Sequence, residues 1–256
     1  MIHGMWGTGS HWENFKGFFE GRGYRCVIPT LRFHDMDSKG IPDPRLGTTS
    51  LLDYAEDLEK LIRDLQVMPI LMGFSMGGLL AQILGGRGLA KALILLSPAP
   101  PYGINALTPS VAINFRSALM RWGFWRKPFL LPFAETSYSM LNLVPSESRR
   151  SIYDTFVYES GRAACEIGFW FFDRKGAARV DESKVSCPVL IVTGEEDREH
   201  PAPVIRKIAR RYKEVVTYKE LLSHGHWLIG EPGWQKIAEF IEQWLGHSAK
   251  SGKTDT

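Results

Sequence analysis

The chain has 256 residues, 44% apolar and 23% charged, and a net charge of +3 from 31 basic and 28 acidic side chains. That length supports one sizeable core and is marginal for two, and so even a charge balance, with no regularly spaced basic stripe, argues against a nucleic-acid-binding protein. Cys26, Cys165 and Cys187 lack metal or redox spacing, no basic-then-apolar leader opens the chain, and no apolar run approaches a membrane span, so the expectation is a cytoplasmic protein without integral membrane association.

Met1-Ile2 reads as the stub of a strand that runs into His3-Gly4-Met5-Trp6-Gly7. Trp12 to Arg22 reads as a helix ended by Gly23, Tyr24 to Pro29 as a strand, and Thr30 to Ser50 as a loop rich in Asp, Pro and Gly. Leu51 to Gln66 is amphipathic, with Leu51, Tyr54, Leu58, Leu61, Ile62 and Leu65 on one side of a helix. A strand over 69–74, a helix over 76–85 and a strand over Ala92–Ser97 follow. Strands alternating with helices, each strand apolar throughout, mean a mostly parallel, doubly wound α/β sheet covered on both faces.

The alternation stops at Pro98-Ala99-Pro100-Pro101 and resumes at Val189–Thr193, with a helix over 202–212, a strand over 215–221 and a last helix from Pro232 to Leu245. The core is therefore residues 1–101 and 185–247, interrupted by a helix-rich, aromatic insert over 102–184, and residues 248–256 read as a disordered tail. The insert holds the basic residues Arg116, Arg121, Arg126, Lys127, Arg149 and Arg150, whose plain reading is solvation of exposed helix faces and whose alternative is attraction to an anionic substrate or membrane surface. Gly252-Lys253-Thr254 lacks the earlier glycine and the following helix of a phosphate-binding loop.

Chemistry enters at Gly73-Phe74-Ser75-Met76-Gly77, a serine caught between strand and helix with glycine two places away on each side. Such a turn holds its central residue at an unusual backbone angle, and a Cβ two places to either side would strike its neighbours. The helix that starts at Met76 aims free N–H groups and its positive dipole end at the reacting atoms. A serine hydroxyl also needs a base in hydrogen-bond reach and an acid to orient that base. Asp197, just beyond the strand 189–193, is the candidate acid, with Glu195, Glu196 and Glu199 as rivals in the same loop. His226, just beyond the strand 215–221, is the candidate base; His224 competes, and no third residue completes a metal site with the pair. The remaining histidines read as surface or loop residues, with His3 tying its own loop together. Two N–H donors must receive the developing oxyanion; Met76 supplies one by position and Met5 the other, with Trp6 as the alternative to Met5.

Taken together, the His3-Gly4 turn, the elbow around Ser75, and the late Gly194-x-x-Asp197 and Gly225-His226 pairs make the chain resemble the α/β-hydrolase superfamily. The resemblance implies a cofactor-free enzyme with Ser75, Asp197 and His226 as its catalytic residues, and a lid over 102–184. It also implies strands ahead of the His-Gly turn, where this sequence has only Met1-Ile2, so the sheet is either trimmed there or the natural start lies upstream. A trimmed sheet leaves the strand 24–29 near an open edge, with reduced stability or a homodimer as the expected result.

The expected activity is cleavage of a small-molecule carboxylic ester through an acyl-enzyme, with Trp6, Phe74 and Trp227 beside an acyl or aromatic group. Thioester, lactone, carbon–carbon bond, lyase and perhydrolase chemistry remain open on the same residues, as does a non-catalytic binding role.

Overall fold

The computed structural model describes residues 1–251 except Lys39 and Ala106, with side chains described through His247. A short 3-10 turn over Gly9–Trp12 leads into α1 (Glu13–Glu20). Next come α2 (Leu51–Asp64), β1 (Ile70–Phe74), α3 (Met76–Gly86) and β2 (Ala92–Leu96). In α2 the predicted stripe is buried at Leu51, Tyr54, Leu58 and Ile62, and Ser50 and Asp53 close a capping box that satisfies the free N–H groups of its first turn.

Between β2 and the next core strand lie α4 (Pro109–Asn114), α5 (Arg116–Met120), β3 (Pro128–Phe129), α6 (Phe133–Ser139), α7 (Ser146–Tyr153), β4 (Glu159–Ser160) and α8 (Gly161–Gly168). The sequence predicts the helical character of this stretch but not the antiparallel β3–β4 pair, whose two-residue strands are too short to leave an alternating pattern. The core then continues through β5 (Val189–Gly194), α9 (Ala202–Arg211), β6 (Val216–Leu221) and α10 (Trp234–Ser251). The last helix passes the predicted end at Leu245; the rest of the expected disordered tail, 252–256, lies outside the described residues.

The main sheet is parallel in the order β1-β2-β5-β6. Every residue of β2 and β5 is buried, and because successive side chains point to opposite faces, both faces of the sheet are covered. Register brings Phe74, Leu96 and Val192 side by side, so the turns after β1, β2 and β5 leave the sheet at one end, where ligand sites form in open α/β sheets. The edge strand β6 is only partly buried. Residues 24–29 do not form the predicted strand. They make no ladder, and the half-buried Met1 ammonium donates to Val27 O at 2.7 Å. Ile2 makes a single parallel bridge to Gly73.

A buried polar cluster joins the 102–184 stretch to the core. Glu159 accepts from Tyr54 Oη at 2.8 Å and from Ser160 N at 2.6 Å, and its other oxygen lies 3.0 Å from His34 Nε2. Burial alone would lower the His34 pKa, but the charge and hydrogen bond of Glu159 outweigh it and raise the imidazole above its usual range. Glu166 accepts from Ser50 Oγ and, at 2.8 Å, from Leu51 N at the start of α2. Removing one member of such a cluster leaves the others buried and unpaired. Glu159→Ala is therefore expected to cost about 3–5 kcal/mol in denaturant unfolding; a loss within the range of an exposed ion pair, under about 1 kcal/mol, would remove the cluster from this role.

Candidate active site

Ser75 sits between β1 and α3 with φ 54° and ψ −121°, a left-handed conformation costly for any residue but glycine. Its backbone is pinned on several sides: Ser75 N donates to Leu96 O at 3.0 Å, and Ser75 O accepts from Gly78 N and Ala99 N at 2.9 Å each. The flanking glycines are required for a reason the sequence only outlines. A Cβ at Gly73 would collide with Gly77 O, and one at Gly77 with the carbonyl oxygens of Ile2 and His3. The first loop presses equally close, since a Cβ on Gly4 would lie 2.9 Å from Ser75 Cβ. His3 holds that loop, as expected: its Nδ1 donates to Gly4 O at 2.8 Å and its Nε2 accepts from Leu31 N at 3.0 Å.

Asp197 and His226 are both buried, with Asp197 Oδ2 at 2.8 Å from His226 Nδ1. The other carboxylate oxygen accepts from the N–H groups of Glu199 and His200 at 2.9 and 2.8 Å. Desolvation works against this charge, but His226 and these donors keep the Asp197 pKa below the ordinary carboxylate range. For His226, burial favours the neutral ring, yet the Asp197 charge and hydrogen bond dominate and raise its pKa. The loops meet backbone to backbone, because a Cβ at Gly194 would strike the carbonyls of His224 and Gly225.

Three of the four rivals stand outside this pair. Glu195 and Glu196 are exposed, and His224 Nδ1 lies 2.8 Å from Glu231 Oε1, which also accepts from Gly225 N and so fixes the loop carrying His226. Among the described residues no group of three or more His, Cys, Asp or Glu is placed to hold a metal ion.

Ser75, Met76, Met5, Trp6 and His226 all line one cavity of about 440 Å³. His226 Nε2 is buried without a hydrogen-bond partner, so Ser75 Oγ is not bonded to it in this rotamer. The N–H groups of Met5 and Met76 have no acceptor among the described residues. Trp6 lines the cavity, whereas Phe74 and Trp227, also expected there, do not. The Phe74 ring packs against the His226 imidazole at 4.9 Å, and Trp227 packs against Phe74 and Phe156, so both pack around that imidazole and not against the cavity.

Two residues, His200 and the rival acid Glu199, line the cavity without the sequence reading placing them there. His200 is not a surface histidine: its ring stands edge-on to His226 at 5.0 Å, its Nδ1 donates to Ser97 O at 3.0 Å, and burial pushes its pKa down to about 4. Glu199 is buried, its Oε1 has no partner, and desolvation pushes its carboxyl above the usual range. Their spacing from Asp197 is the only signal in the sequence, and it does not distinguish a lining residue from a solvated loop. His3 and His34 lie in loops, as expected, and both are buried.

The sequence profile of the alpha/beta hydrolase family matches residues 1–239, and the chain belongs to that family. A comparison with curated protein sequences finds no match. Among solved structures, a monoacylglycerol lipase from Paleococcus ferrophilus is similar at 20% identity and TM-score 0.68, over 96% of this chain and 93% of that one. A pyrethroid hydrolase from Sphingobium faniae JZ-2 is similar at 17% identity and TM-score 0.71, over 97% of each chain. An esterase from Thermogutta terrifontis is similar at 18% identity and TM-score 0.64, over 96% and 88%. At these identities the likeness speaks for the fold.

The backbone contact at Gly77 gives a test of the elbow. Gly77→Ala is expected to destabilise the protein by about 3 kcal/mol or more, at the upper end for overpacking, because the obstacle is the Ile2–His3 backbone and no side chain can swing away. An unchanged melting midpoint would contradict this packing.

Proposed function

We propose that the protein is a cofactor-free serine hydrolase that cleaves carboxylic esters through an acyl-enzyme. The observation that carries this reading is the buried Asp197–His226 hydrogen bond at 2.8 Å, with the free Nε2 of the same imidazole in a residue that shares a cavity with Ser75. Ser75 Oγ attacks the ester carbonyl and His226 Nε2 takes its proton. The step requires Ser75 Oγ to reach His226 Nε2, and catalytic hydrogen bonds commonly tighten once substrate is bound. The tetrahedral oxyanion accepts from the Met5 and Met76 N–H groups. His226 then protonates the leaving alcohol, and water enters by the same route in reverse to release the acid.

Asp197 keeps the proton on His226 Nδ1 and stabilises the imidazolium. The aromatic and aliphatic lining supplied by Trp6, Val111, Phe115, Met140 and Ile167 favours an apolar acyl or aromatic group. Because several of these side chains come from the 102–184 stretch, that stretch acts as the lid over the substrate. The free thiols of Cys26, Cys165 and Cys187 fit a reducing compartment such as the cytoplasm.

Fluorophosphonate labelling is expected at Ser75 and absent in Ser75→Ala, whose ester turnover should fall by roughly a millionfold. A folded wild-type protein that neither labels nor hydrolyses p-nitrophenyl esters would end this reading. The pH dependence follows from His226, which must be neutral to accept the proton. With its pKa held above the ordinary 6.5, kcat/KM should fall on the acid side with a midpoint above that value and recover as pH rises. Asp197→Asn removes the charge that raises the pKa, so the acid limb should move to lower pH while the plateau drops about ten-thousandfold. An unmoved limb would show that another group titrates.

A further inference from the structure

We propose that the outward face of the segment 107–127, with the neighbouring Phe171–Phe172 turn, docks the protein on an anionic phospholipid surface. Met120 and Trp122 are each 86% exposed, and Phe172 and Phe171 are 77% and 52% exposed. Several of these side chains meet or border one another. Trp122 stands edge-on to Trp125 at 5.2 Å, Phe171 and Phe172 lie 4.6 Å apart, and Trp125 and Phe172 border one cleft of about 660 Å³. Water-facing apolar surface of this kind marks a binding face, and indole rings favour the boundary between water and lipid headgroups.

Charge selects the occupant. From Gly103 to Ala134 the chain carries Arg116, Arg121, Arg126 and Lys127 and no carboxylate. Arg116 is paired with Glu135 at 3.1 Å, but Arg121, Arg126 and Lys127 have no carboxylate partner among the described residues. Exposed Trp and Met beside unpaired cations match an anionic headgroup layer, with the aromatics entering the acyl boundary and the cations meeting phosphate. Among the described residues no helix is long and apolar enough to cross a membrane, so the contact is peripheral.

The same elements carry the wall of the cavity on their inner side, through Val111, Phe115 and Phe124. Leu107 and Leu119 belong to both faces, since they line the cavity and are 37% and 41% exposed. The cavity therefore borders the proposed docking face, and a substrate arriving from the lipid layer meets it there. The docking itself is independent of the proposed ester chemistry, because vesicle binding is read without turnover.

The test is flotation of the full chain with phosphatidylcholine vesicles, with and without phosphatidylglycerol. Partition is expected to be about tenfold or more stronger with the anionic lipid, to weaken as salt is raised, and to blue-shift tryptophan fluorescence. Met120→Ser/Trp122→Ser should lose partition by about tenfold while keeping its circular dichroism, its unfolding midpoint and its fluorophosphonate labelling. Arg121→Glu/Arg126→Glu/Lys127→Glu should abolish the preference for the anionic lipid, and it carries the test if the first variant does not fold. Wild-type protein that ignores both vesicles, binds them equally, or is matched by either folded variant overturns the proposal. A stable dimer in sedimentation velocity that Met120→Ser/Trp122→Ser dissociates would identify a second copy as the occupant and overturn it equally.

Discussion

The site depends on backbone packed against backbone where no side chain fits. Gly73, Gly77 and the Ile2–His3 peptide occupy one small volume beneath Ser75, and Gly4 closes on Ser75 Cβ from the other side. That crowding holds Ser75 at φ 54°, and it sets Met76 and Met5, the proposed oxyanion donors, on the same cavity. A left-handed serine costs on the order of 1–3 kcal/mol. It persists because the pinned turn leaves no relaxed alternative: Leu96 O, Gly78 N and Ala99 N all bond its backbone.

A second set of contacts works at longer range. Glu159 and Glu166, both in the stretch between β2 and β5, bury their carboxylates against His34, Tyr54 and the capped start of α2. Trp6 adds a link, because its indole donates to Phe129 O at 3.2 Å and its carbonyl accepts from Val157 N at 2.9 Å. The residue beside the proposed oxyanion donor Met5 is thus tied directly to β3 and to the segment before β4. The 102–184 stretch is thus hydrogen-bonded to a residue that lines the cavity, as well as packed over it.

Much of the core is legible in the sequence because each element obeys one local rule. The strands β1, β2 and β5 are short apolar runs, α2 has a stripe and a cap, and the elbow announces itself by its glycines. The strand expected over 24–29 does not form because an apolar run records burial, not hydrogen-bond partners, and among the described residues its contacts, Met1 N with Val27 O and Tyr24 N with Phe19 O, make no ladder. Adjacency along the chain is a poor guide to which way a ring points, and so Phe74 and Trp227, expected at the cavity, pack around His226 instead. Asp197 can be ranked by its distance from a strand end, and His226 by the glycine before it. Glu199 and His200 cannot, since their burial depends on Ser97, Ser139 and Asn114, which come from distant parts of the sequence.

The contact of Gly194 with the His224–Gly225 backbone has an evolutionary corollary. The loops carrying Asp197 and His226 are set by main-chain packing at the sheet end, whereas much of the cavity wall is side chains on the short helices between β2 and β5. Exchanging wall residues such as Val111 or Ile167 would alter the cavity's shape while Asp197 and His226 hold their positions, so under the proposed function the preference for one substrate over another can drift by single substitutions.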